Sequence, residues 1–599
     1  MNVRSKFIII GLISFLIVTL PVLTTKFWQG ATESIVAKPG NLETIATNKG
    51  ETKTFTNNAA VTIGGQLGGL NYYGKEIPFI DQFKLNSGWS GLCTGAGDGV
   101  PDDPGCNKTM SDEDIKKQLF QQDDNGWIKS LPKRGSNSKQ YNSVSTIILR
   151  AGGYQPGRYI LTYEGEGIIS ASFDAKKNEA LSKSGRQVYD IDKPQAGSGV
   201  EIRITQTDPN QNGNYIKNIK FFREEQENLL KAGEIFNPDF INLVKPFKFF
   251  RAMSWMATND NNEQKDWDDL VKITDYNWAG QEFISPRRKK GGAPIEVLTA
   301  IANKTSSDLW LNIPHQATDE YVTKFAQKVK ETLDSKLNVY IEYSNEVWNW
   351  SPAFPQSQWA VQQAKARWKE DIPDGDADFN GFYGMRASQI INIWKSVFGS
   401  QANRVKGIMA TQTAWQGLEQ ARLRCNAYQK EGNPPCYKNF DLYAITGYFG
   451  AAMTMKENAD TIKGWMRESD GGYAKALQWL RTGEGLPHES KFGSLPNVSA
   501  DRAYHKTVAD KYGLKLVTYE GGPDLVTQDP EVQAFLGRLR KRPEMKDIYL
   551  ESLNDWKNQG GTLYSHHVIM DGGEYGALAG TYVEDPKTAP VYQALIQFK

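Results

Sequence analysis

The spacing of apolar residues divides the chain into regions of different structure. Residues 7–23 are almost continuously apolar. Between about 140 and 225, apolar and polar residues alternate, as in Gly199–Thr205. This period of two predicts short strands with one buried face. From about 235 onward, short apolar runs alternate with amphipathic stretches, which predicts strands that are followed by helices.

The alternating region predicts a small antiparallel β-sandwich. Clusters of turn-forming residues separate its short apolar runs, and none of the runs has the length or spacing of a long helix. The predicted strands span 143–150, 158–163, 187–191, 199–205 and 215–222.

The last region predicts an α/β fold, a closed parallel (β/α)₈ TIM barrel. Helical stretches separate most of its apolar runs, such as 321–333 with apolar residues every four positions. Together with the Gly-rich run 61–70, the count of strands reaches the eight that close such a barrel. The sandwich is then inserted after strand 1. The predicted barrel strands are 61–70, 247–254, 308–313, 339–343, 405–409, 440–446, 514–519 and 562–566.

The N-terminus predicts export. Arg4 and Lys6 precede the apolar run 7–23, the order found in export signals. The run is at the lower length limit of a membrane-spanning helix, Pro21 interrupts its end, and no Ala-x-Ala site follows it. A cleaved signal peptide and an uncleaved membrane anchor both stay open. In either case we expect an extracytoplasmic protein, secreted or attached to the membrane at its N-terminus.

These patterns divide the chain into five predicted segments. They are 1–30 as signal peptide or membrane anchor, 31–58 as polar spacer, 59–90 as first barrel strand and loop, 91–225 as inserted loop region and sandwich, and 226–599 as the remainder of the barrel.

The four cysteines form two local pairs, Cys93 with Cys106 and Cys425 with Cys436, each in a stretch rich in Gly, Pro or Asn. In an exported protein this indicates two disulfides that close short loops. A zinc site is the weaker interpretation, because neither pair has two-residue spacing and no histidine is nearby. We predict no metal and no cofactor.

Charge adds one exclusion. Seventy Lys and Arg residues balance 69 Asp and Glu residues, for a formal net charge of +1. A neutral chain without a long basic run gives no electrostatic reason to expect a nucleic-acid partner. The sixteen tryptophans in a polar chain hint at exposed stacking surfaces, although most such rings belong to ordinary cores.

Two glutamates carry the candidate chemistry. Catalytic groups of a TIM barrel lie at the C-terminal ends of its strands. The fourth predicted strand runs into Asn345 and Glu346, and the seventh ends at Glu520. Either glutamate alone could be a salt-bridged rim residue. Together they form the pair that glycoside hydrolysis requires, one carboxyl protonated and one ionised. A retaining mechanism places the two carboxyl groups about 5–5.5 Å apart.

Other residues beyond the strand ends are candidates for binding substrate or supporting the pair. Arg251 could keep Glu520 ionised, or could form a structural ion pair. Glu342 lies deeper than Glu346 and is interpreted as a buried ion-pair partner. Tryptophans just past strand ends could stack on sugar rings or pack internally. The remaining candidates are Trp255, His315, Trp348, Trp415 and His566.

The strand ending Tyr343-Ser-Asn-Glu346 and the later Thr518-Tyr-Glu520-Gly-Gly resemble the clan of retaining (β/α)₈ glycoside hydrolases. The resemblance implies that Glu346 is the acid/base and Glu520 the nucleophile. It also implies supporting roles for Asn345, Arg251 and Tyr448. The clan often has a tryptophan after strand eight, where this chain has His566 and His567. The inserted sandwich is similar to exported proteins loosely described as cellulose-binding-like.

Two functions follow as hypotheses. The first is an exported retaining glycoside hydrolase that acts on a carbohydrate polymer or oligosaccharide, with transglycosylation as a variant. The second is a non-catalytic polysaccharide-binding or matrix-assembly protein on a degenerate barrel, which the fold alone does not exclude. The presence of both Glu346 and Glu520 favours the first hypothesis, because a binding cleft does not need both.

Overall fold

The computed structural model describes residues 60–92, 121–132, 142–259, 264–279, 291–349, 351, 354–369, 379–571 and 574–598. The predicted export segment 1–30, the spacer 31–58 and the pair Cys93 and Cys106 lie outside these residues. No helix within the described residues has the length and apolar composition of a membrane span.

Eight parallel strands close into a barrel, as predicted. Strand β1 pairs in parallel with both its spatial neighbours, β12 and β18, and the strands between them follow in chain order. With all strands numbered β1 to β18 along the chain, the barrel consists of β1 (Thr62–Gln66), β12 (Phe249–Arg251), β13 (Asp308–Ile313), β14 (Val339–Tyr343), β15 (Val405–Ala410), β16 (Leu442–Phe449), β17 (Lys515–Pro523) and β18 (Leu563–His566).

Large side chains fill the inside of the barrel. Phe249 and Trp310 are fully buried there, with ring centroids 6.0 Å apart. The Gly-rich composition of β1 follows from this packing. A Cβ on Gly64 would lie 2.5 Å from the ring of Phe249, so no larger residue fits without displacing that ring.

Helices surround the barrel and cover its outer face. Asp319–Thr332 is typical: the Thr318 side chain accepts from the Tyr321 N–H at its start, and a buried apolar face that includes Phe325 and Val329 packs inward. The α-helices of the described residues are Glu227–Lys231, Pro238–Val244, Ile295–Thr305, Asp319–Thr332, Pro355–Trp368, Phe379–Phe398, Leu418–Arg424, Asn426–Lys430, Ala459–Trp465, Tyr473–Thr482, Leu495–Tyr512, Pro530–Arg540, Glu544–Asn558 and Pro590–Gln597.

The antiparallel strands all lie between β1 and β12 in the chain. They form two four-stranded sheets, in the orders β2-β5-β10-β7 and β11-β6-β9-β8, and a separate β3-β4 pair. The strands are β2 (Ser90–Leu92), β3 (Gln121–Gln122), β4 (Ile128–Ser130), β5 (Ser143–Ile148), β6 (Gly157–Glu164), β7 (Gly167–Phe173), β8 (Lys176–Lys177), β9 (Arg186–Ile191), β10 (Val200–Thr207) and β11 (Lys217–Arg223).

The loop after β1 joins the barrel to these sheets. Phe79 forms an isolated antiparallel bridge with Phe236, and its ring packs edge-on against Trp278. The Asp81 carboxylate accepts hydrogen bonds from the backbone N–H groups of Phe83 and Phe221. Strand β11 is therefore tied to the loop that leaves the barrel.

The Cys425–Cys436 disulfide is present, with the two Cα atoms 5.9 Å apart, within the range that a disulfide can span. Both cysteines are fully buried. This confirms one of the two predicted loop closures.

Candidate active site

Glu520 lies at the mouth of the barrel in a set of hydrogen-bond donors. It is the sixth residue of β17, and its side chain is 8% exposed. Arg251 Nη1 donates to Glu520 Oε1 at 2.7 Å, and the Tyr448 hydroxyl donates to Oε2 at 2.8 Å. Both carboxylate oxygens thus accept from a neighbour, one of which carries a full positive charge.

Arg251 links four of the strand ends. Its fully buried guanidinium donates to Glu342 through Nε and Nη2, both at 3.0 Å. It also donates to Gln66 Oε1 at 2.7 Å and to Asn345 Oδ1 at 2.8 Å. Although burial opposes charge on Arg251, the carboxylates of Glu342 and Glu520 raise its pKa. Arg251 is therefore both a structural ion-pair partner and the cation beside Glu520.

Glu346 has weaker donors. Asn349 Nδ2 donates to Oε2 at 2.9 Å, and the Tyr519 hydroxyl donates to Oε1 at 3.1 Å. Both donors are neutral. Tyr519, which contacts the Glu346 carboxyl, directly precedes Glu520 on β17. This places the two glutamates at one mouth.

The backbone that carries Glu346 is held in an unusual conformation. Ser344 and Glu346 have φ values of 57° and 41°, a region that costs non-glycine residues energy. Hydrogen bonds hold the three successive carbonyl groups. Asn312 Nδ2 donates to the Ser344 carbonyl at 2.9 Å, Gln356 Nε2 to that of Asn345 at 2.7 Å, and the Asn349 N–H to that of Glu346 at 2.7 Å.

The two glutamates have opposite pKa shifts. Burial and the negative charge of Glu520 raise the pKa of Glu346 to about 8. Burial also acts to raise the pKa of Glu520, but His567, Arg251 and the Tyr448 hydroxyl together lower it below the ordinary value. Since burial lowers the pKa of His567 itself, Arg251 is the permanent cation of the set. At neutral pH the arrangement holds one protonated and one ionised carboxyl.

Asn345 lies inside the set. Its Oδ1 accepts from Arg251, and its Nδ2 donates to Asn259 Oδ1 at 3.2 Å. The side chain is buried between these partners, next to the carbonyl that Gln356 holds. Asn345 therefore connects the guanidinium beside Glu520 to the turn that carries Glu346.

The histidine after β18 needs a correction. We predicted His566, but its side chain is fully buried behind the barrel, where Nδ1 is 2.8 Å from the Tyr549 hydroxyl. The next residue, His567, has Nδ1 at 3.7 Å from Glu520 Oε1. Successive residues of a strand point to opposite faces, so only one of the pair can reach the mouth. Leu563, which packs against the inner layer, has the same parity as His567, and this was the missed signal.

Trp255 also needs a correction. The sequence predicts a side chain that could bind sugar, but Trp255 is fully buried and stacks on Phe236 and Phe240. The chain turns directly after β12, where the Met256 N–H donates to the Ala252 carbonyl. This turn directs the indole into the apolar layer outside the barrel, where it has no face open to a ligand.

The other candidates lie at different depths. Trp415, after β15, is 48% exposed, and Trp348 is half-buried beside the Glu346 turn. His315 is buried with its ring against Trp359, and burial lowers its pKa to about 4. None of the contacts described for His315 is with Glu346 or Glu520. The structure thus brings together Glu346, Glu520, Asn345, Arg251 and Tyr448, and it adds His567 and Tyr519.

Comparisons with known proteins give similarity in fold only. No family model matches the chain, and no curated protein matches it in sequence. Among solved structures, a GH5-4 broad specificity endoglucanase from Clostridium acetobutylicum is 11% identical with a TM-score of 0.31, covering 60% of this chain and 90% of that one. A family 5 xyloglucanase from Paenibacillus pabuli is 11% identical with a TM-score of 0.34, covering 60% and 90%. A psychrophilic family 10 endo-beta-1,4-xylanase is 10% identical with a TM-score of 0.30, covering 61% and 93%.

Proposed function

We propose that this protein is a retaining glycoside hydrolase that acts on a polysaccharide or oligosaccharide. The observation that carries the proposal is the pair of carboxyl groups at one barrel mouth with opposite pKa shifts, Glu346 raised and Glu520 lowered. Hydrolysis by double displacement needs a proton donor and an ionised nucleophile at neutral pH. Both are provided by side chains of this chain.

In the first step, Glu346 donates its proton to the glycosidic oxygen while a Glu520 carboxylate oxygen attacks the anomeric carbon. The bond to the leaving sugar breaks, and a glycosyl ester forms on Glu520. Glu346, now ionised, next takes a proton from a water molecule, whose oxygen attacks the anomeric carbon and releases Glu520. If a sugar hydroxyl replaces water, the product is a transglycosylated sugar.

The neighbours of the pair support these roles. Arg251 and Tyr448 favour the ionised form of Glu520 before attack, and Asn349 and Tyr519 orient the Glu346 carboxyl. After the ester forms, the negative charge of Glu520 is gone. The pKa of Glu346 then falls, which suits its second role as a base.

We also propose that the protein works outside the cytoplasm, either secreted or held by its N-terminal segment. The basis is the apolar run 7–23 behind Arg4 and Lys6, together with the buried Cys425–Cys436 disulfide. Expression of the full chain with a C-terminal reporter, followed by cell fractionation, tests this. Recovery of the folded protein only from the cytoplasm would contradict it.

The catalytic proposal is tested with a panel of neutral, acidic and amino polysaccharides and a 2-deoxy-2-fluoro glycoside of each sugar that is released. We expect turnover by the wild type, first-formed product with the anomeric configuration of the substrate, and a covalent label on the peptide that contains Glu520. Glu431→Gln is the matched control, because Glu431 pairs with Arg367 at the surface. It should retain wild-type activity.

Three outcomes would contradict the proposal in different ways. Inverted product would replace the nucleophile role of Glu520 with that of a base. A label on a peptide without Glu520 would refute the assignment of the nucleophile. Tight binding of a polysaccharide without turnover would favour the non-catalytic function.

A further inference from the structure

A wall of aromatic side chains adjoins Glu520 on the side of β18. The His567 ring lies 3.7 Å from the Glu520 carboxylate and packs edge-on against Tyr448, with centroids 6.0 Å apart, and against Tyr575, with centroids 5.3 Å apart. The Tyr575 hydroxyl donates to Asp524 Oδ1 at 3.5 Å, just past the end of β17. Tyr575 is half-buried, and its contact with the His567 ring links it to the surroundings of Glu520.

The residues Glu574–Gly576, called here the Tyr575 turn, are held from one side by a carboxylate. Asp571 accepts hydrogen bonds from all three N–H groups of the turn. The donors are the N–H groups of Glu574 at 3.2 Å, Tyr575 at 2.9 Å and Gly576 at 2.7 Å. A Cβ on Gly576 would lie 2.5 Å from the Asp571 nitrogen, so the turn is packed closely against this residue.

The same turn is held from the other side by a guanidinium. Arg540 donates to the carbonyl groups of Glu574, Tyr575 and Gly576, the last at 2.7 Å. Arg540 is the final residue of the helix Pro530–Arg540, which precedes β18 by more than twenty residues. Every backbone polar group of the Tyr575 turn is thus bound by one of two charged side chains, and one of these comes from a distant helix.

Burying the Arg540 guanidinium costs free energy unless its N–H groups find hydrogen-bond acceptors. Arg540 as a residue is only 6% exposed, so its guanidinium has given up most of its water, and the hydrogen bonds to neutral carbonyls must compensate for that loss. The flat fork of Arg presents several donors in fixed directions, which Lys does not. The three carbonyls are therefore fixed relative to one another and to the helix, and the Tyr575 ring is fixed with them.

We propose that Arg540 is a positioning residue: through the Tyr575 turn, it holds Tyr575 and His567 as the wall of the position where the reacting sugar binds beside Glu520. This inference rests on the proposed function. Tyr575 contacts the sugar and contributes to specificity, whereas Arg540 acts only through it. A displacement of about 1 Å in such a wall can lower the rate about 10²-fold.

A double-mutant cycle on kcat/KM tests this coupling. We expect Arg540→Ala and Tyr575→Ala each to lower kcat/KM by about 10–10²-fold, and the double variant to be no worse than Tyr575→Ala. Arg404→Ala is the matched control. Arg404 is also a buried arginine that binds backbone carbonyls, those of Leu337 and Asp334, but it precedes β15 at the opposite end of the barrel. Equal losses from Arg540→Ala in both backgrounds would overturn the positioning role.

A second measurement does not depend on turnover. With 3-fluorotyrosine at position 575 in the whole chain, we expect one sharp ¹⁹F resonance in the wild type and in Arg404→Ala. In Arg540→Ala the resonance should broaden or split, added guanidinium should restore it, and Arg540→Lys should not. An unchanged resonance in Arg540→Ala would overturn the proposal. If the wild type cleaves no glycan while the resonance behaves as expected, the proposed function fails and the positioning of Tyr575 by Arg540 stands.

Discussion

Glu520 and Glu346 are the same residue type at the same barrel mouth, yet their surroundings differ. Glu520 accepts from a guanidinium and a phenol, whereas the donors to Glu346 among the described residues are an amide and a phenol. Burial acts to raise both pKa values. The difference in sign therefore comes from the groups beside Glu520, which are His567, Arg251 and the Tyr448 hydroxyl, and among these Arg251 is the permanent cation.

The comparison extends to the backbone. Glu520 lies within β17, just past an irregularity in its pairing with β16. Thr518 pairs with Ile445 and Glu520 pairs with Thr446, so Tyr519 is an extra residue between the two pairs. Glu346 lies past the end of β14 in a left-handed turn held by Asn312 and Gln356. The proposed nucleophile is thus placed by the barrel itself. The proposed acid is placed by a strained turn that needs additional hydrogen bonds.

The largest expected effect comes from Glu520→Gln, which keeps the shape but removes the nucleophile. Activity should fall on the order of 10⁴-fold or more, because no ester can form. Initial rates on any substrate found in the polysaccharide screen provide the measurement, and Glu431→Gln, which should retain the wild-type rate, is the control. Wild-type rates in Glu520→Gln would show that Glu520 is not the nucleophile, and the comparison of the two glutamates would lose its functional meaning.

Glu346→Gln should cost less, about 10²–10⁴-fold, because it removes acid/base catalysis but leaves the nucleophile. The loss should shrink on aryl glycosides whose leaving group needs no proton. The same variant tests the raised pKa. In the wild type, kcat/KM should fall as pH rises through about 8, where Glu346 loses its proton, and Glu346→Gln should lose this alkaline limb.

The raised pKa of Glu346 also determines how the free energy of unfolding changes with pH. The folded protein keeps a proton on Glu346 up to about pH 8, whereas an unfolded chain releases it near pH 4.3. The stability from this group is therefore fully present below about pH 4.3 and is lost as pH rises toward 8. Denaturant unfolding at several pH values should show a steeper decrease in the wild type than in Glu346→Gln, which keeps the contribution of other buried carboxyls with raised pKa values, such as Glu76 and Asp524. An identical pH dependence in both proteins would contradict the raised pKa.

Arg251→Met tests the cation that separates the two glutamates. It leaves Glu342 and Glu520 buried without their positive partner, so we expect a loss of about 3–5 kcal/mol in the free energy of unfolding. In the folded variant the pKa of Glu520 should rise, and the acid limb of kcat/KM should move to higher pH. Arg422→Met, which removes a buried arginine that binds Asn380, should destabilise without moving that limb. An unmoved acid limb in Arg251→Met would count against the proposed role of Arg251.

The smallest expected effect is that of Tyr519→Phe. The Tyr519 hydroxyl donates to Glu346 Oε1, which favours the ionised form. Its removal should raise the pKa of Glu346 and move the alkaline limb upward by up to about one pH unit. Tyr340→Phe is the control, because its hydroxyl binds Asp308 at the start of β13 and not a group at the mouth. A downward shift in Tyr519→Phe would contradict the assigned hydrogen bond.

Periodicity was a good guide to the elements. Strands β13 and β14 match the predicted ranges, and the helix predicted at 321–333 is Asp319–Thr332. In each of these segments the apolar residues are spaced so that they fall on one buried face in a strand or in a helix, but not in both. Strand β7 was missed, because its buried positions, Ile169 and Ala171, alternate with an exposed Ile168 and so blur the period. Short edge strands such as β2 and β8 have too few residues to show a period at all.

The direction of side chains at the strand ends was harder to predict from the sequence than the elements themselves. Glu342 was correctly predicted to be a buried ion-pair partner, because it lies deeper in its strand than Glu346, and the structure gives Arg251 as its partner. Trp255 was misplaced because it lies in the turn after β12, where the direction of a side chain depends on how the loop packs and has no short sequence period. His566 is different, because it lies within β18, and the parity of Leu563 would have favoured His567.

The sequence by itself determined the alternation of strands and helices, hence the barrel, and the two glutamates at the ends of its fourth and seventh strands. Local spacing is enough for this, because burial of one face dictates the period. The tertiary structure alone decided that Arg251 binds Glu520 and Glu342 at once, that His567 lies 3.7 Å from Glu520, and that Arg540 reaches the Tyr575 turn. These contacts join residues far apart in the chain, and a pKa depends on distances in space that no local pattern encodes.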